Sequence, residues 1–556
     1  MELQKNETDR LFVEPVVPKP KVSLDTILFE AIGQFGRYQL RMVMLAGVLS
    51  VFISFSAIEY VLTTGRINTR CLIPECETSE AATFSPPWIL NAVPEIDGTF
   101  DSCHRFKPAG TTMRNDSCPA EWFITNVTID CSEYLYENNN TIVYDFGLAC
   151  DEWRRSLIGS VHTFGNLLAL PITGYISDHW GRRFALVINV VNTAWLGCVR
   201  YWCSGYYGFL VTELFKSMFS GGIFSCTHIL VMELVGPKHR VAAGAALSTC
   251  LSSGHFLLGV IAWGVPNWKN LILILYVPQL LFVSYYWLMS ESVRWNMTKG
   301  RYKEVESFLK KVARVNKREL TEKFQQELKE TVNTEEKLKA REEEYKKKEP
   351  WLIVAVFQNK EILKRCCIAP IWWIAVTLIY FGMAINSVNM SGNRYLNLML
   401  VAASDIPGYW VAVLLMDRIG RKPVLIGAFW TCAACQLVYI FLPKYMYAAS
   451  LSVYLTGKFS IAIVMMSLYI YTAEIFPTKH RHSLVAFASM LGRIGAIVAP
   501  LTPALGASIW HDFPSALFCG FALTAGALVL LAPETLGTKL PDTMEEAASI
   551  GVRDNK

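Results

Sequence analysis

The ionisable residues of this chain that could do chemistry fall into two groups, and the first occurs twice. Gly174-Tyr-Ile-Ser-Asp178-His-Trp-Gly181-Arg182-Arg183 joins two apolar runs, and Asp417-Arg-Ile-Gly420-Arg421-Lys422 joins two more, with Asp178 and Gly181 both recurring 239 residues on (417 − 178 and 420 − 181). Glu233 and Arg240, in Glu-Leu-Val-Gly-Pro-Lys-His-Arg, return 241 residues later as Glu474 and Arg481, in Glu-Ile-Phe-Pro-Thr-Lys-His-Arg. Glu291-Ser-Val-Arg294-Trp295 is answered by Pro533-Glu534-Thr535 at an offset of 243 (534 − 291). One charged turn arises by chance; three matched sets in register mean that the chain is duplicated. Acids and arginines at helix ends bridge helices in one arrangement and separate in another, so they bias a two-state equilibrium and read as gating charges. Gly174 and Gly181 read as positions of close backbone approach.

The second group lies within apolar runs. Asp405, Lys458 and Arg493 each sit near the middle of a run, where a charge costs several kcal/mol unless it faces water, a partner or a ligand. Pairing of Asp405 with Lys458, or with Arg493, is the bland alternative to substrate binding. Arg493 stays protonated and grips a carboxylate as a fork. Trp373 and Tyr380, seven apart on one helix face, read either as an aromatic wall for an organic ion or as core. Glu59 either faces a cavity or partner or reaches the far interface of its run. His162, His228 and His255 are scattered among separate runs, which favours helix packing over proton coupling. Catalytic constellations, nucleotide loops and metal clusters do not stand out, so the chain reads as a non-enzyme without cofactor or metal.

The elements that position these residues follow from composition. A chain of 556 residues with 52% hydrophobic residues and positive mean hydropathy is too apolar for an ordinary soluble protein. Runs near 20 residues, the length that spans a bilayer as helix, recur twelve times, at 41–63, 156–177, 184–203, 208–232, 241–264, 269–289, 366–386, 394–416, 423–442, 447–471, 484–506 and 513–532. The fold class is therefore all-α membrane protein, with twelve helices in two pseudo-symmetric six-helix bundles. Residues 65–150 carry 5 Lys/Arg against 12 Asp/Glu, and 290–365 carry 20 against 14. Basic loops lie on the cytoplasmic side, so 290–365, the charged turns and both termini are expected inside and 65–150 outside. The first 25 residues lack the apolar stretch of a cleavable signal, and the first span reads as an uncleaved anchor.

The expected organisation is a cytoplasmic N-terminal segment (1–40), a first membrane helix (41–64), an extracellular loop (65–150), the rest of the first half (151–289), a helical linker (290–365), the second half (366–532) and a tail (533–556). The outer loop holds Cys71, Cys76, Cys103, Cys118, Cys131 and Cys150, which on the oxidising side read as up to three disulfides among the 15 pairings six cysteines allow. It also carries sequons at Asn115, Asn126 and Asn139, which read as glycosylation sites; those at Asn6 and Asn296 fall on the cytoplasmic side and should be silent. Cys432 and Cys435 lie in an apolar helix without His or acid neighbours and read as packing. In the linker, Tyr302–Val315 and Leu320–Tyr345 look like amphipathic helices. Phe29–Gln39, ahead of the first span, looks like an interfacial lead-in helix.

The duplicated motifs resemble the major facilitator superfamily, whose halves rock about a central site. More narrowly the chain resembles the organic cation, organic anion and carnitine transporter family over nearly its whole length. That resemblance rests on Gly33-Gln-Phe-Gly-Arg-Tyr-Gln39, the cysteine-bearing first loop, Phe146-Gly-Leu-Ala-Cys150-Asp-Glu-Trp153, Glu291-Ser-Val-Arg-Trp295, Trp373, Tyr380-Phe-Gly382, Tyr395-Leu-Asn397, Gly457-Lys458-Phe459 and Tyr471-Thr-Ala-Glu474 through Arg481. It departs at Val293, where the family usually has Pro, at Phe381, where a second Tyr is common, and at Asp405, which replaces Glu. The resemblance implies a polyspecific plasma-membrane transporter of small organic ions. In that family, anion and carnitine carriers look to have Arg at the Arg493 position and cation carriers Asp, which tilts the expectation toward anions or zwitterions such as carnitine. An organic cation transporter, a sugar-type facilitator and a non-transporting scaffold of the same fold are the rival readings. The implied partners are the organic ion and the lipid bilayer, with no nucleic acid; a coupling or exchange ion is left open.

Overall fold

A computed structural model of the chain describes residues 33–78, 82–96, 99–110, 118–318, 352–443, 445–478, 480–538, 540–541 and 543–550. They fall in two compact units: Met1–Arg41 with Leu234–His239 and Val293–Pro350, and Met42–Glu233 with Arg240–Ser292 and Trp351–Lys556.

The larger unit is a helical bundle. Its first half contains α1 (Arg37–Thr63, which starts in the smaller unit), α2 (Glu152–Trp180), α3 (Arg182–Val199), α4 (Tyr206–Leu234), α5 (Arg240–Gly264) and α6 (Trp268–Tyr276). Its second half contains α7 (Lys360–Asn386), α8 (Arg394–Ile419), α9 (Arg421–Phe441), α10 (Tyr447–Ile475), α11 (Arg481–Val498) and α12 (Phe513–Leu530). In hydrocarbon only a helix satisfies its own backbone, and each of the twelve apolar runs begins in one of these helices. Among the described residues eleven helical stretches are long and apolar enough to cross a membrane. The exception is α2, whose Arg154, Arg155, His162, Asn166 and Asp178 dilute it. Asp151, Asn359 and Asn393 cap α2, α7 and α8, each accepting a backbone N–H (3.0, 3.2 and 2.9 Å). Proline explains the two irregular runs: α6 passes into a 3₁₀ stretch at Pro278–Ser284, and α11 into Ala499–Leu501, where Pro500 lies.

Small residues set the helix contacts. Gly492 of α11 lies against Trp373 of α7, and Ser160 Oγ of α2 donates to the Ile497 carbonyl of α11 at 2.9 Å, joining the two halves. Gly174 departs from expectation, because nothing lies within 4 Å of where its Cβ would be.

The segment between α1 and α2 has three two-stranded antiparallel sheets: Thr69–Cys71 with Tyr134–Tyr136, Glu95–Ile96 with Thr99–Phe100, and His104–Pro108 with Phe123–Asp130. The six cysteines pair as Cys71–Cys131, Cys76–Cys118 and Cys103–Cys150. Asn126 and Asn139 are exposed there, and Asn115 lies outside the described residues.

In the smaller unit, of the lead-in helix expected over 29–39, residues 29–32 lie outside the described residues, Gly33–Gly36 is a bend, and Arg37–Gln39 already belong to α1. Gly33 takes φ +82°, which favours glycine. Gln39 Oε1 accepts from the Gly36 N–H (3.1 Å) and the Asn316 amide (3.0 Å), tying the bend to the helix Tyr302–Asn316. The expected helix at 320–345 lies outside the described residues.

Candidate functional site

At the bundle end away from the disulfide-bonded segment, the duplicated charges form the same construction in each half. Gly181 and Gly420 precede α3 and α9 with φ of +104° and +109°, conformations only glycine adopts freely. Neither has a side chain to cap the helix that follows. A glutamate from beyond the last helix of the same half does so instead. Glu291 accepts from the backbone N–H of Arg182 (2.8 Å) and Arg183 (3.2 Å), and Glu534 from Arg421 and Lys422 (both 3.0 Å). A carboxylate there satisfies orphan donors and meets the positive end of the helix dipole. Burial pushes the Glu534 carboxyl up, but backbone donors from Leu536, Arg421, Thr535 and Lys422 outweigh it and hold the group below its ordinary range.

The remaining charges of this group surround those caps. Arg182 pairs with Asp178 at 3.0 Å and Arg421 with Asp417 at 3.4 Å, both aspartates being mostly exposed. Arg421 also forks onto Glu474, each nitrogen at 3.2 Å, and Thr535 Oγ1 donates to Glu474 at 2.6 Å. Glu233 accepts from Ser292 Oγ in the equivalent place. Arg240 Nε donates to the Met232 carbonyl and Arg481 to Thr478 Oγ1, both at 3.1 Å. Arg294 opens the helix Val293–Thr298 in the smaller unit.

A cavity of about 210 Å³ lies between the halves, and Tyr380, Asp405, Lys458 and Arg493 all line it. Tyr380 Oη donates to Asp405 Oδ2 at 2.8 Å, and Lys458 Nζ stands 3.5 Å from Asp405 Oδ1. Lys458 also donates to the Tyr380 carbonyl (2.9 Å) and lies 3.3 Å from the Tyr380 ring centroid. Asp405 and Lys458 are therefore neutralised by each other. Among the described residues no hydrogen bond or ion pair engages Arg493, which is partly buried in the wall. Trp373 corrects the expected aromatic wall. It is 2% exposed, donates to Thr472 Oγ1 (3.3 Å) and backs Tyr469, whose ring is 4.5 Å away and does line the cavity. Gly492 of α11 lies against the Cβ and backbone of Trp373, and the indole is held instead by Thr472 and Tyr469 of α10.

Sequence reasoning missed Tyr409, bonded to Tyr380 (2.8 Å) and, four residues beyond Asp405, on the same helix face. It also missed a sealed charge ring. Glu59 does not reach an interface: Lys216 Nζ lies 2.9 Å and Arg200 Nη2 2.6 Å from its Oε1. Lys216 bonds Glu213 at 2.7 Å, and Arg200 closes the ring onto Glu213. All four are fully buried. The available signal was Glu213 and Lys216, opposite charges one helical turn apart inside an apolar run. His162, expected in plain packing, instead joins Glu213 at 2.7 Å and lines the cavity with Asn166 and His255.

Residues 121–546 match the sugar (and other) transporter family. The chain is 29% identical over 529 residues to an organic cation transporter protein of Drosophila melanogaster (94% of each chain), and 30% identical over 550 residues to solute carrier family 22 member 16 of Xenopus laevis (94% of each). The fold is similar to that of the E. coli xylose transporter XylE in a partially occluded inward-open conformation, with TM-score 0.57 and 14% identity over 90% of this chain and 100% of that one. The chain belongs to the sugar (and other) transporter family of the major facilitator superfamily, within its solute carrier 22 branch. It is a multi-pass membrane transporter with the twelve-helix fold of that superfamily.

Proposed function

We propose that this protein carries small organic ions across the plasma membrane by alternating access, and that Arg493 selects those bearing a carboxylate or another anionic group. One observation carries the reading: the Asp405–Lys458 pair cancels within the cavity, which leaves Arg493 as the uncompensated charge there. In a cavity less screening than bulk water, that charge attracts anions and repels cations. Asp405, held by Lys458 and Tyr380, is not free to receive an ammonium group, so the reading favours anions over zwitterions. The names of the relatives include organic cation transporter, and the cavity tyrosines Tyr380 and Tyr469 would suit a cation's face-on contact; this is the second reading. The capped turns, with Asp178, Arg182, Arg183, Glu233, Arg240, Glu291, Arg294 and their counterparts Asp417, Arg421, Glu474, Arg481 and Glu534, act as the gating set on the cytoplasmic side. Both termini lie on that side, and residues 65–150, glycosylated at Asn115, Asn126 and Asn139, lie outside.

Uptake of a labelled organic anion, carnitine and tetraethylammonium, normalised to surface protein, tests the selection. Arg493→Asp should lower anion uptake at least about tenfold, the loss of one charge-assisted contact of roughly 1.5–3 kcal/mol, and Arg493→Lys should fall between, keeping charge without the fork. Robust wild-type tetraethylammonium uptake with anion uptake unchanged in Arg493→Asp would remove the anion reading.

A further inference from the structure

The lining that the first half gives to the cavity holds a titratable group that the reading above leaves without a role. His162 on α2 has Nδ1 2.7 Å from Glu213 Oε1 and Nε2 3.1 Å from the Asn166 side-chain nitrogen. Glu213 is bonded to Arg200 and Lys216 as well, so it is an ionised acceptor, and the hydrogen between it and the imidazole sits on Nδ1. Nε2 is then a lone pair receiving the Asn166 amide. His162 and Asn166 line the cavity, whereas Glu59, Arg200, Glu213 and Lys216 do not. The ring thus fixes one nitrogen of the histidine and leaves the other to Asn166, itself part of the cavity lining.

Two further features fit a nitrogen that gains and loses a proton. Asn166 Oδ1 is buried without a hydrogen-bond partner. When Nε2 is protonated, rotation of the Asn166 amide presents that oxygen to the new N–H, so one side chain satisfies both states. The groups around His162 also leave the event electrically visible, and α11, packed on α2 through the Ser160–Ile497 contact, brings Arg493 to the same cavity. From α1 come Glu59 and the Tyr60 ring, 4.8 Å away; from α3 and α4, Arg200, Glu213 and Lys216; from α6, Tyr276, whose hydroxyl bonds Glu59 at 3.2 Å. The ring sums to zero, with two carboxylates against two cations. Across the cavity the Asp405–Lys458 pair also cancels. Protonation of His162 therefore adds one positive charge to a cavity lining whose net charge otherwise comes from Arg493.

We propose that His162 is a proton-binding site of the transport cycle, so that an organic anion enters the cavity together with one proton. This rests on the anion reading above. One proton from the solution binds the Nε2 lone pair and leaves it on the opposite side when the halves reorient; no bond is otherwise made or broken. Because anion and proton each raise the other's affinity by the same factor, a proton gradient drives accumulation of the anion.

The test uses purified full-length protein in lipid vesicles with a labelled aromatic sulfonate, which neither protonates nor crosses lipid at these pH values. With about pH 6 outside and about pH 7.5 inside, a range over which histidine titrates, wild type should accumulate label above the outside concentration, up to about tenfold per pH unit for one proton per anion. A trapped pH dye should report acidification when sulfonate is added. In His162→Gln the ratio of uptake with and without the gradient should fall to about one; because the ratio is internal to the variant, a change in its absolute rate does not matter. Sulfonate exchange by wild type with no gradient response and no acidification would overturn the proton site and leave the anion reading standing, as would an undiminished gradient ratio in His162→Gln. Tetraethylammonium uptake with no sulfonate transport under any gradient would overturn both. The wild-type measurements decide the matter even where the variant does not fold.

Discussion

The two buried charge groups of this transporter are built on opposite plans. In the first half, Glu59, Arg200, Glu213 and Lys216 alternate in sign around a closed ring and are wholly shut from solvent. In the second, Asp405, Lys458 and Arg493 line an open cavity, and their signs do not cancel. Burying a charge is tolerable only when its attraction to partners repays the lost hydration. The ring meets that demand internally, so it reads as scaffold. The cavity group meets it only in part, and the remainder is available to a ligand. A sealed and balanced set makes structure; an unbalanced set that lines a cavity makes a site. His162 stands where the two plans meet, one nitrogen bonded into the ring and the other to Asn166 of the cavity lining.

The comparison is broken most severely at the ring. Arg200→Met leaves two carboxylates facing Lys216 alone, and removal of one partner from a buried ionic set costs about 3–5 kcal/mol. The expected result is poor surface expression and a markedly lower unfolding temperature for the purified protein. Adding Glu59→Gln leaves Glu213 and Lys216 as a matched pair and should recover more than half of the loss. A single Arg200→Met protein as stable as wild type would show that the ring is not the scaffold its geometry implies.

At the cavity the expected effect is smaller and falls on transport. Lys458→Met frees the Asp405 carboxylate to offset Arg493, so anion uptake should fall about 10- to 100-fold, equivalent to roughly 1.4–2.7 kcal/mol. The double variant Asp405→Asn with Lys458→Met restores a net positive cavity and should recover most of the uptake. Equal impairment of single and double variants would mean that Lys458 acts by direct contact rather than by balancing Asp405.

How much of this was legible in the sequence follows from the range of each interaction. The twelve helices and the duplication were legible because hydropathy and repeated turns are local along the chain. Asp405 and Arg493 were legible as isolated charges in apolar runs. The ring was not, because it draws one residue from α1, one from the end of α3 and two from α4, and only their approach in three dimensions gives it meaning. Trp373 and Tyr380 share a helix face at seven residues, yet only Tyr380 lines the cavity, since the Trp373 indole is taken up by Thr472 and Tyr469 of α10. The disulfide pairing stayed open for the same reason: cysteine spacing does not choose among 15 pairings, whereas the sheet that registers Cys71 with Tyr134 brings Cys131 close.

The smallest expected effect compares the two halves at their capped turns. Glu291 and Glu534 do the same work for α3 and α9, so Glu534→Gln at neutral pH should cost about 1 kcal/mol, the typical worth of a helix cap, seen as a modest fall in unfolding temperature. The pH dependence sharpens this. Backbone donors hold the Glu534 carboxyl below its ordinary range against the opposing push of burial, so its folded value lies under its unfolded one. Its contribution is therefore fully present above the unfolded value of about 4.3 and is lost as pH falls through the folded value. Wild type and Glu534→Gln should differ in unfolding temperature at pH 7 and converge on acidification below about pH 4. A gap that stays constant down to that pH would mean that the glutamate acts through its shape and hydrogen bonds alone, and that its charge adds nothing to the cap of α9.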